Sequence, residues 1–395
     1  MKRMSTKMPL AIEVNQERLI ALFLELIQID SPSGAERAIA DVLKKKLEER
    51  GFQVREDDAA AKLAQESPEK RLPKGTAGNL IATLKGTTEA PHLLFMAHMD
   101  TVVSNRGVRP IREQGVIKTD EKTILGADDK AGVAGILEAF SVVKEKNLPH
   151  GDVTVVFSIC EELGLYGAKY LDVDSLRVDF GYVLDSGGPP EKVIGAAPYE
   201  VDYRVTVHGR AAHSGVNPED GINALAAACS AVSQFKQGRI DKHSTRNIGI
   251  FRAGETTNTV CDRAHLEGEA RSLDKKQVDA LVSEVRQAFE HVCPTFHATF
   301  DMDVEEAYSG FQLTENDDVV RHAFKALKQI GLTPVLAERG GGSDTNILNG
   351  RGIPAVNLGV GASRDHTVYE SVHEAHLIAA AQMVCSILAS VLDEK

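Results

Sequence analysis

Hydrophobic positions near the start of the chain recur at a helical spacing. Leu19, Ile20, Leu22, Phe23, Leu26 and Ile27 mark one amphipathic helix within residues 16–31. A second runs from about Ala35 to Arg50 and stops at Gly51. Residues 58–78 are polar and rich in breakers, and predict a loop. The pattern then changes to strand-like runs at Asn79–Leu84, His92–Ala97, Val153–Ile159 and Phe180–Leu184, with helical spacing at Gly132–Lys146 and Gly164–Leu171 between them. Val153–Ile159 is almost wholly apolar and β-branched, as strands buried on both faces are. Strands alternating with helices predict a layered α/β domain.

After Gly187-Gly188-Pro189-Pro190 the period becomes two. Val201, Tyr203, Val205 and Val207 alternate with Asp202, Arg204 and Thr206, the mark of a half-exposed antiparallel strand. A helix near 221–235, strands near 247–251 and 264–271, a helix near 275–291 and a strand near 296–303 follow. That order is ferredoxin-like. From about Ser309 the α/β style returns, with helices at 315–330 and from His373, and strands near 334–336 and 355–358. The expected division is 1–196, an inserted unit at 197–308, and 309–395.

The chain has 395 residues and is 43% hydrophobic and 26% charged, enough for a sizeable core. Its net charge of −12 disfavours nucleic acid and anionic membranes as partners. No apolar run approaches the roughly 18–20 residues that span a bilayer. The basic start lacks a secretory apolar stretch. Five scattered cysteines, read as core thiols, fit a reducing compartment, so a cytoplasmic location is expected.

Candidate chemistry stands at the ends of the apolar runs: His98 and Asp100 after Leu-Leu-Phe-Met-Ala, Asp128 and Asp129, Glu161 and Glu162, Asp185, and His366. Taken singly, a strand-terminal acid is usually a helix cap or turn former, and a lone histidine is usually a core residue. Together, charged groups after buried strands are costly unless compensated. Ligands collected at one sheet edge point to bound divalent cations, and imidazole with carboxylate suits zinc or its neighbours. Asp100 sits two residues after His98, on the same side of a strand end, where it can orient the imidazole. Of the adjacent glutamates, one can bind metal while the other remains a base. His373-Glu374-Ala375-His376 lacks the His-Glu-x-x-His gap and reads as the opening of the last helix. The glycine-rich Arg339–Asp344 stretch has neither a P-loop lysine nor a dinucleotide spacing.

These signatures, with Ala-Asp-Asp-Lys-Ala-Gly, Gly-Arg-Ala-Ala-His-Ser-Gly, Arg-Gly-Gly-Gly-Ser-Asp and a final His-x-x-x-Glu, resemble the di-zinc metallopeptidase family that includes peptidase T, carboxypeptidase G and succinyl-diaminopimelate desuccinylase. Ala-Asp-Asp-Lys-Ala-Gly and Arg-Gly-Gly-Gly-Ser-Asp look most like the peptidase T branch. The resemblance implies a zinc-exopeptidase α/β/α catalytic domain with an inserted ferredoxin-like dimerisation domain. It implies two zinc ions, with cobalt or manganese as alternatives: one held by His98 and Asp185, the other by Glu162 and His366, with Asp128 bridging before a cis peptide. Glu161 would be the general base, Asp100 the orienter of His98, and His213 an oxyanion donor supplied across a homodimer. Arg339, Arg271 and Asn258 would grip the substrate carboxylate. The implied activity is hydrolysis of short peptides, tripeptides or dipeptides. The alternatives are a carboxypeptidase or N-acyl-amino-acid amidohydrolase using the same metals, and a non-catalytic metal-binding relative.

Overall fold

The computed structural model describes residues 12–66 and 72–392. It divides into two compact units, one made of residues 1–195, 313–338 and 343–395, the other of 196–312 and 339–342. The N-terminal residues 1–11 and part of the predicted 58–78 loop lie outside the described residues. What is described of that loop includes a short helix, Ala59–Leu63, which buries Ala59 and Leu63.

The first unit is built on a mixed sheet whose strands lie in the order Gln53–Glu56, Leu80–Leu84, Val153–Ser158, Leu93–His98, Phe180–Ser186, Ala355–Gly359, Lys192–Ala197. The four strands from Val153–Ser158 to Ala355–Gly359 run parallel. Successive side chains point to opposite faces. Leu93, Phe95 and Ala97 therefore join the core under the helices Gln16–Ile27, Ala127–Lys146 and Glu374–Ser390. Leu94 and Met96 join a second core with Ala168, Val183 and Leu348. Burial on both faces explains why these strands read as unbroken apolar runs rather than alternating ones. The result is the expected α/β/α layering.

The sequence pattern missed the largely buried strand Lys192–Ala197, and the pieces that bury little apolar surface: Gln53–Glu56, and the strands Ile111–Glu113 and Val116–Lys118, joined through a tight turn. The helix expected from Gly132 is assigned from Ala127, but Asp128 and Asp129 have non-helical backbone angles. Gly132 is a close-approach residue. A Cβ there would lie 2.0 Å from the carbonyl oxygen of Leu184, so its absence lets the helix rest directly on the strand that carries Asp185.

The second unit is an antiparallel sheet in the order Gly238–Arg239, Ser244–Ala253, Arg263–Ser272, Tyr199–His208, Thr299–Tyr308. Helices Ala224–Val232 and Lys275–Val292 pack on it, which is the ferredoxin-like arrangement. Val201, Tyr203, Val205 and Val207 form its core with Leu266, Leu281 and Phe289. One expectation needs correcting. The cysteines are not all core thiols: Cys160, Cys293 and Cys385 are buried, but Cys229 is exposed and Cys261 half-buried. The helix Ala224–Val232 buries Ala224, Ala227, Ala228 and Ala231, which turns Cys229 outward. Among the described residues, no helix is long and apolar enough to cross a membrane.

Candidate metal centre

Ligand sites in α/β sheets of this kind form beyond the carboxyl ends of the strands. His98 is the last residue of Leu93–His98 and pairs in register with Ser158, three residues before Glu161. Asp185 lies at the end of Phe180–Ser186. Asp128 enters from the start of Ala127–Lys146, and its peptide bond to Asp129 is cis. His366 comes from the loop between Ala362–Ser363 and Ser371–His373, with φ of +63°.

Asp128 stands between the two histidines. Its Oδ1 lies 3.2 Å from His98 Nε2, and its Oδ2 lies 3.3 Å from His366 Nε2. On one side His98 Nε2 is also 3.7 Å from Asp185 Oδ1. On the other, His366 Nε2 is 2.9 Å from Glu162 Oε2. These are two half-sites sharing one carboxylate. His98, Asp128 and Glu162 can place one ligand atom each within 4.8 Å of the others.

The electrostatics favour positive charge. Burial works against a charged His98, yet Asp100, Asp128 and Asp185 together hold its imidazole well above the ordinary value. Asp128 and Glu162 push His366 up to about 10. Burial, then the Asp185 charge, raises Glu161, and burial likewise raises Glu162. Glu162 Oε1 is buried without a hydrogen-bond partner. Crowded carboxylates, imidazoles facing them and an orphaned oxygen fit a pair of divalent cations, whose charge would offset the repulsion and occupy that oxygen.

A supporting layer fixes these groups. His98 Nδ1 is 3.0 Å from the backbone carbonyl of Asp100 and 3.4 Å from its carboxylate. The Asp100 carboxylate accepts hydrogen bonds from the Glu161 and Glu162 amides at 3.1 and 3.3 Å and from Ser33 Oγ at 2.6 Å. It therefore holds the backbone of the glutamate pair as well as facing the imidazole. Sequence reasoning assigned no role to Ser33, Asn357, Glu370, Asp344 or Glu36. Asn357 accepts the Asp185 amide at 3.1 Å. The Glu370 carboxylate accepts the amides of Gly126 and Asp128 at 2.7 and 2.9 Å. Asp344 Oδ2 accepts Ser158 Oγ at 2.5 Å. Three of them left a signal: Glu370 closes the final His-x-x-x-Glu, Asp344 closes Arg-Gly-Gly-Gly-Ser-Asp, and Asn357 is the polar residue inside the run Ala355–Leu358.

Glu36 gives a pH test of this layer. It is buried and accepts hydrogen bonds from the Gly34 amide, the Cys160 amide and Cys160 Sγ. Burial, then the Asp100 charge, pushes its carboxyl from 4.5 up to about 7. The fold thus favours the protonated form. The stability this group contributes is complete below about pH 4.5 and is lost as pH rises through about 7. Glu36→Gln should gain thermal stability relative to the parent between pH 5 and pH 8. An equal difference in Tm at both pH values would contradict this assignment.

The remaining expected residues lie in the second unit. His213 is exposed, bridges Thr259, and accepts the Gly215 amide at Nδ1 at 3.2 Å. The Asn258 carbonyl accepts the Ser214 amide, which places Asn258 beside His213. Arg339 donates its amide to the Ala196 carbonyl at 2.9 Å. Arg271 is enclosed by Glu269, Glu200 and Tyr308.

A parallel-stranded α/β/α domain with two imidazole–carboxylate half-sites at its strand ends, joined to a ferredoxin-like unit, has the make-up of a metal-dependent hydrolase. The model of peptidase family M20/M25/M40 matches residues 94–390, and the chain belongs to that family. It is 43% identical over 375 residues to YqjE, an uncharacterised protein of Bacillus subtilis strain 168, covering 95% of this chain and 98% of that one. The crystal structure of aminopeptidase PepT from Bacillus cereus ATCC 10987 superposes with a TM-score of 0.87 at 41% identity, over 96% of this chain and all (100%) of that one. A tripeptidase from Staphylococcus aureus subsp. aureus mu50 superposes with a TM-score of 0.88 at 39% identity, over 96% and 99%. The chain is therefore a peptidase T-like metallopeptidase.

Proposed function

We propose that this chain is a di-zinc exopeptidase that removes residues from the free amino terminus of short peptides, tripeptides or dipeptides, in the cytoplasm. The observation that carries the reading is Asp128, whose two oxygens face His98 and His366 separately. In this reading His98 and Asp185 hold one ion, Glu162 and His366 the other, and Asp128 is shared. The imidazole–carboxylate set suits zinc, with cobalt and manganese as alternatives. Cations held there would supply Lewis acidity to the scissile carbonyl and to the attacking water.

The chain's own groups do the rest. Glu161, with its backbone fixed by Asp100, takes the proton from the water and returns it to the leaving amine. Asp100 also keeps the His98 ring in place. His213 donates to the oxyanion of the tetrahedral intermediate in the partner of a homodimer formed through the inserted unit. Its exposed position on that unit supports such a role. Arg339 and Asn258 bind the substrate carboxylate. The similarity to an aminopeptidase and a tripeptidase at about 40% identity supports the substrate class.

The test is elemental analysis coupled to hydrolysis of free di- and tripeptides, N-terminally blocked peptides and N-acyl amino acids. Two metals per chain and a requirement for a free amino terminus are expected. Preference for blocked substrates would move the chain to the carboxypeptidase or N-acyl-amino-acid branch. Sedimentation addresses the dimer: His213→Ala should lower kcat while the protein stays dimeric. A fully active monomeric parent would refute the shared site.

A further inference from the structure

Strand register in the second unit sets Arg271 opposite Glu200, and Glu200 opposite Tyr308. The three side chains form a row across Arg263–Ser272, Tyr199–His208 and Thr299–Tyr308. Glu269, two residues before Arg271, lies on the same face. Nε and Nη2 of Arg271 donate to the two oxygens of Glu269 at 3.0 and 2.8 Å. Nη2 also pairs with Glu200 at 3.1 Å, and Nη1 donates to the Tyr308 hydroxyl at 3.1 Å. The fork that grips a carboxylate side-on is thus filled by the chain's own Glu269. Despite partial burial, the Glu269 carboxylate is held below its ordinary value by Arg271, offsets the guanidinium charge and leaves less positive field for an incoming anion.

The Tyr308 hydroxyl accepts from Arg271, stands opposite Glu200 in the paired strand, and lies against the Gly342 backbone. Gly342 lies directly on the ring, where an added Cβ would be 2.3 Å from Tyr308 Cζ. Gly342 closes the turn Arg339-Gly340-Gly341-Gly342, a stretch whose glycines give it little stiffness of its own.

We propose that Arg271 and Tyr308 are positioning residues that set this turn, and that Arg271 does not touch the substrate. Glu269 and Glu200 hold the guanidinium, the guanidinium holds the phenol, and the phenol backs the Gly342 main chain. The direction in which Arg339 leaves the turn follows from that chain of contacts. The inference rests on the reading above, in which Arg339 meets the substrate carboxylate.

The experiment uses the metal-loaded enzyme and the variants Tyr308→Phe, Arg271→Met and both together. Two quantities are read: hydrogen exchange at the Gly342 amide, and kcat and KM for a tripeptide and for its C-terminal amide. Each single variant is expected to speed exchange at Gly342. Each should also raise KM for the free tripeptide roughly tenfold, the loss of one charge-assisted contact, while kcat and the amide's KM stay near the parent's. The double variant should be no worse than the worse single one. If Arg271→Met erases the preference for the free carboxylate while Tyr308→Phe leaves KM and Gly342 exchange unchanged, Arg271 contacts substrate directly and the proposal is overturned. Additive effects on exchange would overturn it as well. Should Arg271→Met not fold, Arg271→Lys takes its place in the same comparison. If the parent itself ignores the carboxylate, the Arg339 reading fails, and exchange at Gly342 alone decides the positioning role.

Discussion

Replacing Glu161 with Gln should lower kcat by about 10²–10⁴-fold and leave the metal content unchanged, since acid–base catalysis supplies rate factors of that order. The geometry makes this substitution clean. The Glu161 amide is held by the Asp100 carboxylate, and its carbonyl accepts the Gly164 and Leu165 amides, so the backbone is fixed without help from the side chain. Glutamine keeps the shape and loses only the proton acceptor. Elemental analysis beside steady-state kinetics would check it. Turnover close to the parent's would remove Glu161 from the reaction, and loss of metal would make it a ligand instead.

The second large effect is expected at Asp128. Its two oxygens serve different histidines, so Asp128→Ala removes a ligand from both half-sites at once. Both metals should be lost and activity should fall below detection. Asp185→Ala is the contrast, because Asp185 stands on the His98 side, with Oδ1 3.7 Å from His98 Nε2. That variant should lose one metal and keep some of the other. Full occupancy in Asp128→Ala would refute the shared ligand, and equal losses in the two variants would show that the half-sites do not fill independently.

The unbroken apolar runs Leu93–His98 and Val153–Ser158 and the alternation of Val201 to Val207 made the main strands and the two styles of fold legible in the sequence. Hydrophobic burial repeats at the period of the element that performs it. Gln53–Glu56 was missed because an edge strand depends on backbone pairing more than on side-chain burial, and Lys192–Ala197 because its short apolar run Val193–Ile194 is broken by Gly195. The candidate ligands were legible because unpaired charge at the end of a buried strand needs a partner, and the chain contains many such charges. Ser33 left no such mark, and Glu370 and Asp344 were visible only as the last residues of their motifs, without a role. Each acts through one or two hydrogen bonds to groups at least 67 residues away in sequence.

The sequence by itself determined which segments are buried, in what order the α/β and antiparallel styles follow, and which residue types could meet a cation. Tertiary structure alone decided that Asp128 faces a histidine with each oxygen, that Asp100 carries the amides of the glutamate pair, and that the Arg271 guanidinium is enclosed by its own neighbours. The physical reason is range. Burial and period are read within a few residues, whereas the direction of a carboxylate or guanidinium is set by partners brought together only when distant strands pair.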